Sequence, residues 1–205
     1  IALNGSGVAT FNVPAGQPVG SYIYRAQYGS DTNFLPSFED RNYAVTAKAT
    51  TTTISSSTPN PSELNGLVSF AYSVTTAPGT TPAGLVTVTA ATGENCSSTV
   101  ASGSCSITFA SAGTRNVTAT YAGDSQHASS TSAAFSHVVN KANQAALTAI
   151  ATPDTIVFGA TSALSTTGGT GTGAVTFAVT TNPGNCSITG STSACSISSN
   201  CPNST

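Results

Sequence analysis

Methionine and tryptophan are absent from this 205-residue chain, and charge is scarce. Charged side chains make up 6% of it, five Lys and Arg against seven Asp and Glu, for a net charge of −2. Five thinly spread cations form no basic patch to neutralise phosphates, which argues against nucleic acid as a partner. No apolar run approaches the roughly 18 residues of a membrane-spanning helix, so no membrane insertion is expected within this segment. A signal-peptide pattern is also missing. With no Met anywhere, Ile1 is not expected to be the product of a start codon, and the chain reads as a processed piece or a window on something longer.

What the chain does contain is serine and threonine, about a third of its residues, beside 39% hydrophobics and 19 Gly. Low charge, β-branched residues and frequent glycine favour an all-β chain of short strands and turns. Disorder is the competing reading of a Ser/Thr-rich composition. Regular apolar alternation argues against it, because disordered segments lack the apolar side chains that offset ordering entropy.

The clearest alternation is VTATYAGD, Val117 to Asp124. Val117, Ala119 and Tyr121 share one parity and Thr118 and Thr120 the other, as in a half-buried strand. Gly123 suits positive φ and Asp124 can hydrogen-bond the turn backbone. YIYRAQYGSD, Tyr22 to Asp31, repeats the design. Tyr28 and Tyr121 stand 93 residues apart, as do Lys48 and Lys141. The repeat-defining turns are Tyr28, Gly29 and Asp31, and Tyr121, Gly123 and Asp124.

Residues 1–47 predict three strands, Val8 to Val13, Ser21 to Tyr28 and Asn42 to Thr46, as the C-terminal half of a domain. Residues 48–140 predict one complete domain. Its strands are Thr50 to Ser56, one with Val68, Phe70, Tyr72 and Val74 on one face, one with Val86, Val88 and Ala90, a cysteine hairpin Cys96 to Phe109, VTATYAGD, and Ser132 to Val139. About seven strands in about 90 residues is the spacing of an immunoglobulin-like sandwich. Residues 141–205 begin the pattern again as an N-terminal part, with Leu147 and Ile150 in its opening strand, a second strand around Ala163 and Leu164, a third on Val175, Phe177 and Val179, and a second cysteine hairpin. The joins through Lys48 and Lys141 contain no Gly or Pro, which predicts stiff end-to-end connections rather than swivelling linkers.

The KATTTTISSSTPNPS opening, the GLVTVTA strand, VTATYAGDSQHASSTS and the closing VVNKA together resemble the bacterial Ig-like repeat family of the group-3 type. The resemblance spans essentially the whole chain. It implies seven-stranded sandwiches serving as structural or adhesive modules of long surface and secreted proteins, with no catalytic residues to carry over. The outer repeats are incomplete, and the cysteine hairpins are not a general feature of that family.

Cys96 and Cys105 are nine residues apart, as are Cys186 and Cys195. Neither pair has the four thiolate or imidazole ligands zinc needs, so a disulfide within each hairpin is expected, and with it an oxidising compartment. Cys201 is left over, for intermolecular pairing, for pairing within its own domain, or as a free thiol.

His127 and His137 are the only imidazoles. Asp124 and nearby serines suggest a triad, but no nucleophile elbow accompanies them, and His127 reads as a solvated loop residue. Glu39 and Asp40 are adjacent, so a strand turns them to opposite faces and they make no hydrolytic pair. Asp31 and Asp124 read as turn caps rather than Ca²⁺ ligands, since one carboxylate per turn falls short of six oxygens. Asn4, Asn95, Asn116, Asn185 and Asn203 lie in N-x-S/T triplets, which makes them candidate glycosylation acceptors, with Asn116 outward by parity. No cofactor, metal or catalytic residue is expected.

The reading is a non-enzymatic, extracellular or cell-surface segment of a fibre, stalk or filament of tandem Ig-like repeats. Its expected partners are neighbouring repeats or copies of itself, with head-to-tail completion between chains set beside the simpler window on one long polypeptide. The competing function is an adhesin module whose Gly29–Leu35 or Asp124–Ser130 loop grips a glycan or host protein.

Overall fold

The computed structural model describes residues 3–157, 160–178, 180, 187–189 and 195–198, the last two spans by backbone alone. Two compact units divide the chain, Ile1–Lys141 and Ala142–Thr205.

The first unit opens with a two-stranded antiparallel hairpin, β1 (Gly20–Tyr28) and β2 (Ser37–Val45), paired from Gly20↔Val45 to Tyr28↔Ser37. Residues Val8 to Val13 alternate in sequence but form no strand. β2 begins at Ser37, five residues before the strand predicted from Asn42, because SFED continues the pairing although its side chains stay exposed. On one face of that hairpin Arg25 reaches Asp40 through two 2.8 Å bonds and stacks over Phe38.

A sandwich follows. One sheet has the order β3 (Thr50–Thr58), β4 (Leu67–Thr76), β7 (Ser104–Thr108). The other has the order β10 (Phe135–Val139), β8 (Gly113–Tyr121), β5 (Leu85–Ala90), β6 (Asn95–Thr99), with β9 (Ser130–Thr131) also on β8. Alternation sets the register, since a slip of one residue would turn every apolar side chain outward. Val68, Phe70, Tyr72 and Val74 of β4 are buried with Val86, Val88 and Ala90 of β5 and Val117, Ala119 and Tyr121 of β8. Phe109 and Phe70 meet edge-on in the middle, 6.3 Å between centroids.

β6 and β7 do not form a hairpin with one another. A 3-10 turn, Val100–Ser102, carries the chain from one sheet to the other, with Gly103 left-handed at its end. β6 pairs β5 and β7 pairs β4. The Cys96–Cys105 disulfide, Cα atoms 5.9 Å apart, therefore joins the two sheets. This corrects the hairpin reading.

The second unit forms one antiparallel sheet in the order β11 (Leu147–Thr152), β12 (Thr161–Gly168), β14 (Cys195–Ser198), β13 (Ser187–Thr189). Val175 and Phe177 are half-buried, but residues 174–178 form no strand, so the third strand predicted there is not formed across its described part. Cys186, Cys201, Asn185 and Asn203 lie outside the described residues, and Cys195 is described only as the first residue of β14.

The 93-residue period is visible in the backbone. β1 and β8 are nine-residue strands, Gly20–Tyr28 and Gly113–Tyr121, and Tyr28↔Ser37 repeats as Tyr121↔Ser130. At the far end Gly20 meets Val45 whereas Gly113 meets Val139, one residue further along. The sandwich accommodates that extra residue between β9 and β10, where Ser132 Oγ accepts from the Ala119 N–H. One extra residue opposite a continuous partner is a bulge.

Candidate functional site

The turn after β8 holds the densest polar cluster among the described residues. Gly123 has φ 89°, and a Cβ there would come within 2.9 Å of the His127 carbonyl oxygen. Asp124 Oδ1 accepts the N–H groups of Gln126 and His127 at 2.8 Å each. Its Oδ2 accepts the Ala83 N–H at 2.9 Å and the Tyr121 hydroxyl at 3.0 Å. These donors, the Ala83 and Gln126 amides foremost, hold the Asp124 carboxyl far below the usual carboxylate range.

His127 is buried and not solvated. Nδ1 lies 2.8 Å from Asp124 Oδ1, and Nε2 lies 2.9 Å from Thr80 Oγ1. With a carboxylate on one side, Nδ1 is the donor to Asp124. Thr80, His127 and Asp124 thus form a hydroxyl–imidazole–carboxylate chain, which nothing in the sequence spacing signalled, since Thr80 comes from the distant β4–β5 loop. Its partners define its work. Asp124 and Tyr121 bond both backbone groups of Ala83, and Thr80 bonds His127, so the cluster fastens the Pro78–Ala83 loop onto the turn. Lys48 closes the third side. Its N–H donates to Gln126 O at 2.8 Å, its carbonyl accepts from the Ala128 N–H at 2.8 Å, and its ammonium donates to Pro78 O at 3.1 Å. The sequence marks Lys48 as a repeat position and as part of a join without Gly or Pro, but does not show these partners.

The turn after β1 is built the same way. Asp31 Oδ1 accepts the N–H groups of Asn33 (2.7 Å) and Phe34 (2.8 Å), and Tyr28 donates its hydroxyl to Asp31 Oδ2. The left-handed position, however, is Ser30 at φ 96°, the counterpart of Gly123, and not Gly29. Phe34 stands where the other turn has His127, and is 68% exposed against 3%.

His137 is the second buried imidazole, between Ser57 Oγ (3.0 Å from Nδ1) and Ser62 Oγ (2.9 Å from Nε2) and stacked on Phe109. Burial pulls its pKa below the ordinary histidine value. Of the glycosylation candidates, Asn95 and Asn116 are exposed on β6 and β8, while Asn4 is exposed but spends its side-chain oxygen on the Ser6 and Val8 N–H groups.

Two antiparallel sheets closed over one apolar core, with a Tyr–Asp corner fastening the loops at one end, define an immunoglobulin-like β-sandwich. The family model of the bacterial Ig-like domain (group 3) matches residues 52–140, which take in most of this sandwich. Neither the comparison with curated proteins nor that with solved structures gives a match. Domains of that family are often surface-exposed, and the fold is typically non-enzymatic.

Proposed function

We propose that the chain is a structural segment of an extracellular fibre, stalk or surface filament, in which Ig-like repeats serve as spacers. The observation that carries this is the polar cluster at Asp124. The residues that would make a triad in an enzyme are here committed to backbone groups of the same domain, and Lys48 is bonded into that cluster at the point where the preceding repeat joins. A ligand pocket is not required for such a role, whereas a fixed join between repeats is.

The competing reading, an adhesin, draws support from Phe34 and Leu35, exposed at 68% and 87% on the β1–β2 loop. Glycan-array binding by the full chain separates the two. The spacer reading expects inert arrays. Binding that is lost in Phe34→Ser/Leu35→Ser would overturn it in favour of the adhesin.

A further inference from the structure

His137 stands where β10 is tied to the segment that leads from β3 to β4. Residues 59–62 of that segment lie along β10 and are held there by few groups, because Pro59 and Pro61 have no N–H to donate. The Val138 N–H donates to Asn60 Oδ1 at 3.1 Å, the Ser62 N–H to Val138 O at 2.9 Å, and the Asn140 N–H to Ser62 O at 2.7 Å. The imidazole adds two more bonds. Its Nδ1 lies 3.0 Å from Ser57 Oγ, just before the segment, and its Nε2 lies 2.9 Å from Ser62 Oγ, at its end. The ring itself is fully buried, stacked on Phe109 and edge-on to Phe70.

We propose that residues 59–62 are an acid-released latch: protonation of His137 lifts the segment off β10 while the two sheets stay closed, and so frees the end of the sandwich at Asn140. The serine bonds do not decide this, since a hydroxyl donates to a bare ring nitrogen and accepts from a protonated one. The cost lies in a desolvated cation without a counter-ion. Arg115 of β8 stands opposite His137 in the ladder and adds a like charge, its guanidinium bonded to Ser111 and to the Ala112 carbonyl. Glu63 follows Ser62, but it is exposed and faces the Asn140 side-chain amide at 3.4 Å. The other elements packed against the ring bring Ser57, Phe70 and Phe109, none of them charged. The Phe109 face returns only part of the cost. Lifting the segment gives the ring to water, and a stretch held by so few bonds opens at less cost than the core strands. The closed latch holds the ring below its ordinary pKa and the open one returns it to about 6.5, so opening grows as pH falls through that value.

The test is residue-resolved hydrogen exchange of the full chain, read as protection factors, from about pH 7.5 to about pH 5 and in urea below the unfolding transition. Protection of the Ser62, Val138 and Asn140 amides is expected to fall by up to about tenfold per pH unit below about 6.5, one proton being taken up on opening. Urea should hardly change it, because lifting the segment exposes little surface. Amides of β4 and β5, which exchange only when the sandwich opens, should depend steeply on urea. His137→Phe keeps a ring in place without a titratable nitrogen, and should leave the three latch amides flat across the pH range. The wild type adds a check that no variant's folding can spoil: the His137 Cε1–H resonance should titrate below the ordinary histidine value. A urea slope at the latch amides equal to that of β4 and β5 overturns the proposal, since acid would then open the whole sandwich. So does protection that ignores pH in the wild type, loss that persists in His137→Phe, or a ring that titrates at its ordinary value. The latch does not rest on the spacer reading, which the glycan arrays test separately.

Discussion

At the scale of single residues, His137 is expected to set the sandwich's response to mild acid. Its ring fills space between Phe109 and two serine hydroxyls and is fully buried, so the neutral form is the one the fold holds. Burial lowers its folded pKa below the unfolded value of about 6.5, and the unfolded chain therefore binds the proton first. The stability that depends on neutral His137 is complete above that unfolded value and is lost as pH falls toward the lower folded one. Asp124, also lowered, adds a separate limb: its contribution is present above the ordinary carboxylate range and is lost only at stronger acid. Urea midpoints measured across pH should fall below about pH 6.5 in the wild type, and His137→Phe should remove that first limb while leaving the second. His137→Ala should cost about 2–4 kcal/mol near neutral pH, from the cavity and two stranded hydroxyls. An unchanged pH profile in His137→Phe would show that the imidazole does not govern it.

At the scale of elements, the disulfide is worth more to the architecture than a hairpin cross-link would be. β6 and β7 lie at the ends of their respective sheets, and Cys96–Cys105 holds those ends together. Closing so short a loop contributes about 2–3 kcal/mol in the chain-entropy model. Cys96→Ala/Cys105→Ala should lose that amount in denaturant titration while keeping the β4–β7 and β5–β6 ladders. Hydrogen exchange should accelerate at β6 and β7 first. Uniform acceleration across both sheets would contradict a local staple. This element also marks how far the sequence could be read. The parity of Val68, Phe70, Tyr72 and Val74 gave β4 and its buried face directly, because a strand between core and solvent writes its period into the residues. NCSSTVASGSCSITF gives no such clue to the change of sheet, since each strand is short and the 3-10 turn between them looks like a hairpin loop. Val8–Val13 has the alternation but finds no ladder partner, and β2 has a partner but hardly any alternation. The burial of His127 and the tie made by Lys48 were illegible for the same reason. Their partners are Thr80, Pro78, Gln126 and Ala128, brought together by the fold rather than by proximity along the chain, apart from Asp124.

At the scale of the whole molecule, the spacer reading requires the sandwich to bear load along the chain, with force entering near Lys48 and leaving near Asn140. Lys48 bridges His127 and Ser62 bridges Val139, both in parallel orientation. Pulling the two ends apart therefore slides parallel partners past each other and loads their hydrogen bonds together rather than one after another. At the C-terminal tie these are Ser62 N–H to Val138 O at 2.9 Å and Asn140 N–H to Ser62 O at 2.7 Å. Asn140→Pro deletes the second donor and nothing else of that tie. In equilibrium the loss of one such bond is about 1 kcal/mol. Resistance to force depends instead on the barrier to unfolding, which this tie guards. Single-molecule pulling on a tandem array of residues 48–141 should show a clear fall in unfolding force for Asn140→Pro. Asn140→Ala, which keeps the N–H, should match the wild type. Equal forces for the two variants would mean that the parallel tie does not carry the load, and that the reason for a spacer role lies elsewhere in the domain.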